Sequence, residues 1–189
     1  KFDTWKLVQE KYVETLEELD VAENGIAKKI NQSVVQKDEV YKQEEITNHD
    51  LASFVDILQK KVGEGSNWIH YGLTSSDIVD TANSVLIIQS LDHVKDLISD
   101  LLSNLQDKAV REKDTLIIGR THGVYAEETF LGNIFGNWHQ EIDRGLNRLE
   151  NSKNNISFGK LSGPVGNHSV VTSEMEKLTL EKLNLKPEQ

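Results

Sequence analysis

Two short segments of this chain place a histidine beside glycine and hydroxyl side chains. One is Gly119-Arg-Thr-His122-Gly123, and the other begins at Trp68 and reads Trp-Ile-His-Tyr-Gly-Leu-Thr-Ser-Ser-Asp. An imidazole can accept or donate a proton near neutral pH, and glycine lets the backbone turn and a ligand approach closely. Together the two segments predict parts of a single active site that binds an anionic substrate.

Three histidines, His49, His70 and His122, are predicted at or beside the starts of helices. A helix N-terminus presents free N–H groups and a positive potential, which suits carboxylate or phosphate ligands. Any one of the three alone is better explained as an incidental residue in a cap or a turn. The three together favour a substrate site, and the hydroxyl side chains beside them are Thr74, Ser75 and Thr121.

Composition excludes several other kinds of protein. The 189 residues carry a formal net charge of −10, which disfavours general nucleic-acid binding, because that needs a basic face. There is no cysteine and no close histidine spacing, so neither a disulfide framework nor a zinc site is predicted. No apolar run reaches the roughly 18 residues of a membrane span. We expect a soluble, cytoplasmic protein without a metal or cofactor.

A second glycine-rich segment, from Gly159 to Gly166, lacks the glycine spacing of a phosphate-binding P-loop. It is interpreted either as a flexible connector or as a backbone cradle for a ligand.

Helical periodicity dominates the chain and predicts an all-α fold. The only prolines, Pro164 and Pro187, lie beyond the most periodic region. Helices are predicted over 1–20, around 26–34, after Thr47, over 74–113, over 127–155 and over 173–183, with a solvated connection or short helix over 36–45. Residues 1–73 are predicted to form a small N-terminal helical domain, and residues 74–189 the first part of a central helical bundle.

Several local features of these helices are predicted as well. Thr47 is expected to cap the helix that follows it, and Gly63 to stop that helix. Gly132 and Gly136 each cost about 1 kcal/mol of helix propensity, which makes sense if another helix approaches closely there. The two long helices cannot bury their apolar stripes on each other alone, so further helices or other subunits are needed.

Four segments resemble, in order and spacing, the fumarase/aspartase superfamily of lyases. They are Thr47-Asn48-His49-Asp50, Trp68 to Asp77, Gly119 to Glu127 and Gly159 to Gly166. The hydroxyl cluster and the long helices are common to the superfamily. The Arg-Thr-His-Gly and His-Asp motifs are similar to those of the branch that acts on succinylated purine nucleotides.

The resemblance implies β-elimination of fumarate from a succinylated amine, with AMP or an aminoimidazole carboxamide ribotide as the other product. By position, His122 would be the general acid that protonates the leaving nitrogen, and His49 its partner. The implied substrate-binding residues are Asn48, Asp50, His70, Thr74, Ser75 and Thr121.

The resemblance also implies a homotetramer whose active sites draw on several subunits. We therefore expect this sequence to be an internal fragment, inactive alone, with the catalytic base on a serine-bearing loop beyond Gln189. Two alternatives stay open: a sister lyase such as argininosuccinate lyase, and a non-catalytic helical oligomerisation module.

Overall fold

The structure, a computed structural model, describes residues 1–188. Within these residues the helices are α1 (Phe2–Glu18), α2 (Ile26–Gln32), α3 (Lys37–Thr47), α4 (Asp50–Val62), α5 (Ser75–Arg111), α6 (Leu131–Ile156) and α7 (Ser173–Lys182). The strands are β1 (Leu116–Thr121), β2 (Val124–Phe130), β3 (Phe158–Gly159) and β4 (Lys186–Pro187). The predicted helical class is confirmed, although the pair formed by β1 and β2 was not predicted.

The chain divides into two compact units. The first unit comprises residues 1–88 together with 156–188, and the second comprises residues 89–155. Compact units within one chain need not coincide with the domains of an assembled protein, so the predicted domain boundary near residue 73 stays a prediction.

Helix α1 supplies much of the core of the first unit. Its apolar stripe packs against α2 and α7, and Val8, Tyr12 and Leu16 are fully buried. The Trp5 ring meets the Phe54 ring of α4 edge to face, with centroids 5.6 Å apart, a geometry that aromatic rings favour. The first and last helices of the chain are therefore parts of one core.

The segment that follows α2 is a short helix, α3, and not a bare connection. Its start is a capping box, in which the Glu39 carboxylate accepts the Gln36 N–H at 3.2 Å. Helix α4 ends at Gly63, which has a φ of 74°. That prediction is confirmed, because glycine enters this backbone region without a steric penalty.

In the second unit, the later part of α5 packs antiparallel against α6. Ion pairs join Lys95 to Glu150 and Lys153 to Asp92. A Cβ added to Gly132 would lie 2.6 Å from the carbonyl oxygen of Ala109, so the close approach expected at this glycine is confirmed. At Gly136 nothing within the described residues lies within 4 Å of such a Cβ, so no helix of this chain makes the expected close approach there.

Between these helices the chain forms an antiparallel hairpin of β1 and β2. The turn is His122-Gly123, with φ values of 52° and 78°, as in the two-residue turns that match the twist of paired strands. The register shifts at Gly119, where a Cβ would lie 3.0 Å from the Glu127 carbonyl oxygen. The predicted start of α6 near residue 127 is therefore wrong, because strand pairing continues to Phe130.

Much of the apolar surface of the second unit remains exposed, as expected for helices that need further partners. Its exposed side chains include Val94, Leu97, Leu101, Val110, Val124, Tyr125 and Trp138. None of the helices within residues 1–188 combines the length and the apolar character needed to cross a membrane.

Candidate active site

His49 joins the start of α4 to the start of α5. Its Nδ1 atom accepts the Ala52 N–H at 3.3 Å, and its Nε2 atom lies 3.1 Å from the Ser75 hydroxyl. Since Nδ1 acts as an acceptor, the neutral ring carries its proton on Nε2 and donates it to Ser75. The Ser75 hydroxyl hydrogen is then free to bind an oxygen of a ligand. Two residues singled out from the sequence are thus in direct contact.

The capping residue of α4 differs from the one predicted. His49 caps the helix, whereas the Thr47 hydroxyl accepts the His49 N–H at 3.2 Å. Thr47 is the last residue of α3, and Asn48 follows it in the left-handed region with a φ of 52°, which asparagine tolerates. The sharp reversal between α3 and α4 carries His49 to the cap position, so the Thr47 prediction is wrong by two residues.

Asp50, in the first turn of α4, is already paired within the chain. One carboxylate oxygen accepts the Leu51 N–H at 2.8 Å, and the other lies 2.9 Å from the Lys1 ammonium. The bond from Lys1 is the larger cause that holds the pKa of Asp50 below its ordinary value. Asp50 is therefore a stable negative charge beside His49, whose Nδ1 lies 3.8 Å away.

His70 is held in the left-handed region, with a φ of 64°, by a buried glutamine of α1. The Gln9 side chain accepts the His70 N–H at 2.9 Å and lies 2.9 Å from the ring Nδ1 atom. Burial lowers the pKa of His70 to about 4, while Asp77 acts to raise it and His49 to lower it further. The ring is consequently neutral near physiological pH, and it is close enough to His49 for a charge on that residue to affect its pKa.

Asp77 fastens the hydroxyl segment at the start of α5 to the glycine-rich loop. Its carboxylate is fully buried and accepts the N–H groups of Thr74, Ser162 and Gly163 at 2.9–3.2 Å. The Lys160 ammonium lies 2.7 Å from the same carboxylate. The sequence predicted that residues 159–166 are either a flexible connector or a backbone cradle for a ligand. At Ser162 and Gly163 neither interpretation holds, because their N–H groups do form a cradle, but Asp77 of the same chain occupies it.

His122 and Thr121 belong to the second unit, at the tip of the β1–β2 hairpin. His122 is exposed and occupies the first position of the turn with a φ of 52°. The prediction that it lies at a helix start is wrong, since α6 begins only at Leu131. Beside it, the Arg120 guanidinium lies 4.8 Å from the centroid of the Tyr125 ring, a cation–π contact that stiffens the hairpin.

The sequence interpretation missed Gln9 and Tyr12, which hold the His70 segment from α1. The Tyr12 hydroxyl donates to the Tyr71 carbonyl at 2.8 Å, and burial is the main cause that raises the pKa of Tyr12. Gln9 lies on the apolar stripe of α1 between Val8 and Tyr12. A polar side chain on such a stripe needs a buried partner, and this signal could have identified it.

The first unit thus gathers two histidines, a serine and a buried carboxylate around two helix starts, on a mostly helical frame. Residues 6–188 match the model of a family described as Lyase. The chain therefore belongs to this lyase family, within the fumarase/aspartase superfamily.

Curated relatives narrow the comparison further. The adenylosuccinate lyase of Thermotoga maritima is 39% identical over the whole of this chain, which spans 44% of that protein. The adenylosuccinate lyase of Aquifex aeolicus is 40% identical over 86% of this chain and 36% of its own length. The chain thus spans less than half the length of these relatives.

Solved structures agree on the fold. A fumarate lyase from Mesorhizobium sp. BNC1 superposes with a TM-score of 0.90 at 21% identity, covering 98% of this chain and 46% of that one. A 3-carboxy-cis,cis-muconate lactonizing enzyme from Pseudomonas putida gives 0.92 at 17% identity, covering 100% and 45%. Identity this low establishes the shared fold alone.

Proposed function

We propose that the protein to which this chain belongs releases fumarate from adenylosuccinate, and from the succinylated aminoimidazole carboxamide ribotide, in purine nucleotide biosynthesis. The observation that carries the proposal is the 39% identity to an adenylosuccinate lyase over every residue of the chain. The contact between His49 and Ser75 supports it, because it joins two motifs recognised separately in the sequence.

In this proposal His122 is the general acid. β-Elimination breaks a C–N bond, and the departing nitrogen needs a proton that an imidazole can supply near neutral pH. An exposed position at the tip of a short hairpin suits a group that must reach a bound substrate. His49 is the partner that helps to orient the reacting groups, and the base that removes the carbon-bound proton comes from outside this chain.

The remaining residues bind the substrate. Ser75 can donate its hydroxyl hydrogen to a carboxylate, and Thr74 precedes the first turn of α5, where the helix potential favours an anion. His70 supplies a neutral N–H donor. Asn48, Asp50 and Thr121 complete the proposed set, and Asp50 contributes as a fixed negative charge beside His49.

We also propose that the complete protein is a cytoplasmic homotetramer and that this chain alone is inactive. The exposed apolar side chains of the second unit, such as Leu97 at 57% and Trp138 at 51% exposure, support burial against other copies. Contiguous exposed apolar surface of this kind commonly marks an interface.

The proposed activity is tested by measuring fumarate release by the complete protein from adenylosuccinate, argininosuccinate and aspartate in parallel. Release from adenylosuccinate alone is the expected result. Release from argininosuccinate or aspartate instead would identify a sister lyase. A folded protein that acts on none of the three would favour an oligomerisation module.

A further inference from the structure

We propose that Gln9 is a positioning residue of the active site: its amide bridges the backbone and the ring of His70 and fixes that imidazole as an Nε2–H donor toward the substrate. The inference rests on the proposed function only in assigning His70 to the substrate site.

The two contacts of the Gln9 amide determine which end donates. The His70 backbone N–H can only donate, so the Gln9 atom 2.9 Å from it must be the carbonyl oxygen. The other end of the amide is then the NH₂ group, which lies 2.9 Å from His70 Nδ1. Since an NH₂ group can only donate, Nδ1 must present a lone pair, and the single ring proton must lie on Nε2.

The amide is rigidly placed for this task. Gln9 has no exposed surface and lies on α1 one turn before Tyr12, whose hydroxyl binds the next carbonyl of the same segment. Two side chains of α1 therefore hold the backbone of residues 70–71, where His70 keeps a left-handed conformation. Such a conformation costs free energy, and a local clamp can offset that cost.

The Nε2 atom of His70 remains available to a ligand. No buried side-chain nitrogen or oxygen within residues 1–188 lacks a hydrogen-bond partner, and Nε2 has no partner among them, so it must reach solvent. The charged or titratable groups that influence this ring are Asp77, at the start of α5, and His49, at the start of α4. Within residues 1–188 neither group forms a hydrogen bond to the ring, whereas the Gln9 NH₂ group contacts Nδ1 at 2.9 Å, so the clamp decides which nitrogen carries the proton.

The test is Gln9→Glu in the complete protein. A carboxylate can still accept the His70 N–H, but it cannot donate to Nδ1. It therefore favours either the opposite tautomer, with a lone pair on Nε2, or the imidazolium. Gln32→Glu, on the exposed surface of α2, makes the same change of charge without touching His70 and is the matched control.

Steady-state fumarate release from adenylosuccinate is measured from about pH 6 to about pH 8.5. In Gln9→Glu, KM should stay near the wild-type value at the acid end, where the imidazolium supplies an Nε2–H. It should rise about tenfold or more at the alkaline end, where a lone pair faces the substrate acceptor. A KM ratio to wild type that is the same at every pH would overturn the proposal.

Gln9→Met keeps a similar volume and removes both hydrogen bonds, so it provides a second test should Gln9→Glu fold poorly. It should raise KM several-fold at all pH values, because neither the His70 backbone nor its ring is held in position any longer. A Gln9→Met enzyme with wild-type KM would contradict the inference.

A readout independent of catalysis separates this inference from the proposed function. Thermal unfolding of the wild-type protein should lose stability as the pH falls from about 6.5 towards about 4, and Gln9→Glu should lose less, because its carboxylate raises the pKa of His70. Failure of the wild type to release fumarate would refute the proposed function alone. Identical pH dependence in the two proteins would refute the clamp.

Discussion

His122 is the residue on which the proposed chemistry depends most. His122→Gln in the complete protein should lower kcat by about 10²–10⁴-fold, the usual contribution of a general acid. Folding should be almost unchanged, because the side chain is exposed at a hairpin turn.

The control for that substitution is His93→Gln, which replaces an exposed histidine within α5. Equal losses of activity in the two variants would show that His122 is not the acid. A His122→Gln variant with near-normal turnover would show the same.

His70 should make stability depend on pH. Its folded-state pKa of about 4 lies below the ordinary value of 6.5, so the unfolded chain takes up the proton first as the pH falls. The stability contributed by the neutral ring is present above about pH 6.5 and is lost towards about pH 4, by roughly 2–3 kcal/mol at pH 4.5.

His70→Asn should remove most of that acid-induced loss. Asparagine tolerates the left-handed backbone and offers an acceptor near the position of Nδ1, but it does not titrate. Urea unfolding of both proteins at several pH values measures the difference, and an unchanged slope between pH values of about 6.5 and 4 would contradict the assignment.

The sequence indicated the candidate site residues better than it indicated the residues that hold them in place. His49, His70 and Ser75 were recognised because their motifs are local. Gln9 was not, because its partner lies 61 residues away. Its place on the apolar stripe of α1 indicates a buried partner but does not say that the partner is a histidine.

At the scale of elements, helices were predictable where local signals act alone. Helix α5 begins at Ser75 and α7 at Ser173, both after threonines, and Gly63 ends α4 as expected. The β1–β2 hairpin escaped prediction because neither strand has a buried face: β1 is at most half-buried at alternate residues, and β2 is almost fully exposed. The alternation of apolar and polar residues by which a strand is recognised is therefore weak. Its signal was the His-Gly turn between β-branched and aromatic residues.

Two glycines of α6 should respond in opposite ways to the same substitution. Gly132→Ala places a methyl group 2.6 Å from the Ala109 carbonyl oxygen and 2.7 Å from the Lys113 Cα atom, so it should destabilise the protein by about 1–3 kcal/mol. Gly136→Ala meets nothing within 4 Å and should stabilise it by up to about 1 kcal/mol through helix propensity.

Chemical denaturation of the wild type and both alanine variants measures this pair of effects. If the two variants shifted stability in the same direction by the same amount, the packing of α6 on the end of α5 would not be as described.

At the scale of the whole molecule, Asp77 ties together segments far apart in sequence. It accepts N–H groups of Ser162 and Gly163, which lie 85 and 86 residues further along the chain. Asp77→Asn would turn a donor NH₂ group toward these donors and leave Lys160 without its buried counter-charge. We expect a loss of about 1–3 kcal/mol of stability, because buried N–H groups lose their acceptor, whereas the Lys160 side chain, which is 35% exposed, can turn to solvent.

Asp80→Asn is the control for this prediction, since it makes the same change at an exposed position of the same helix. Thermal unfolding should separate the two variants clearly. A loss no greater for Asp77→Asn than for Asp80→Asn would mean that the loop is held by other contacts.

Because α7 packs on α1, the core of the first unit cannot be completed during synthesis until α7 has been made. The hydroxyls of Thr15 and Thr179 meet at 3.1 Å in the buried core, although 164 residues separate them. At a synthesis rate of about 5–20 residues per second, the face of α1 that will receive α7 stays uncovered for roughly ten to thirty seconds. During translation the nascent chain must therefore carry an open apolar face, the kind of surface that chaperones shield, until α7 emerges.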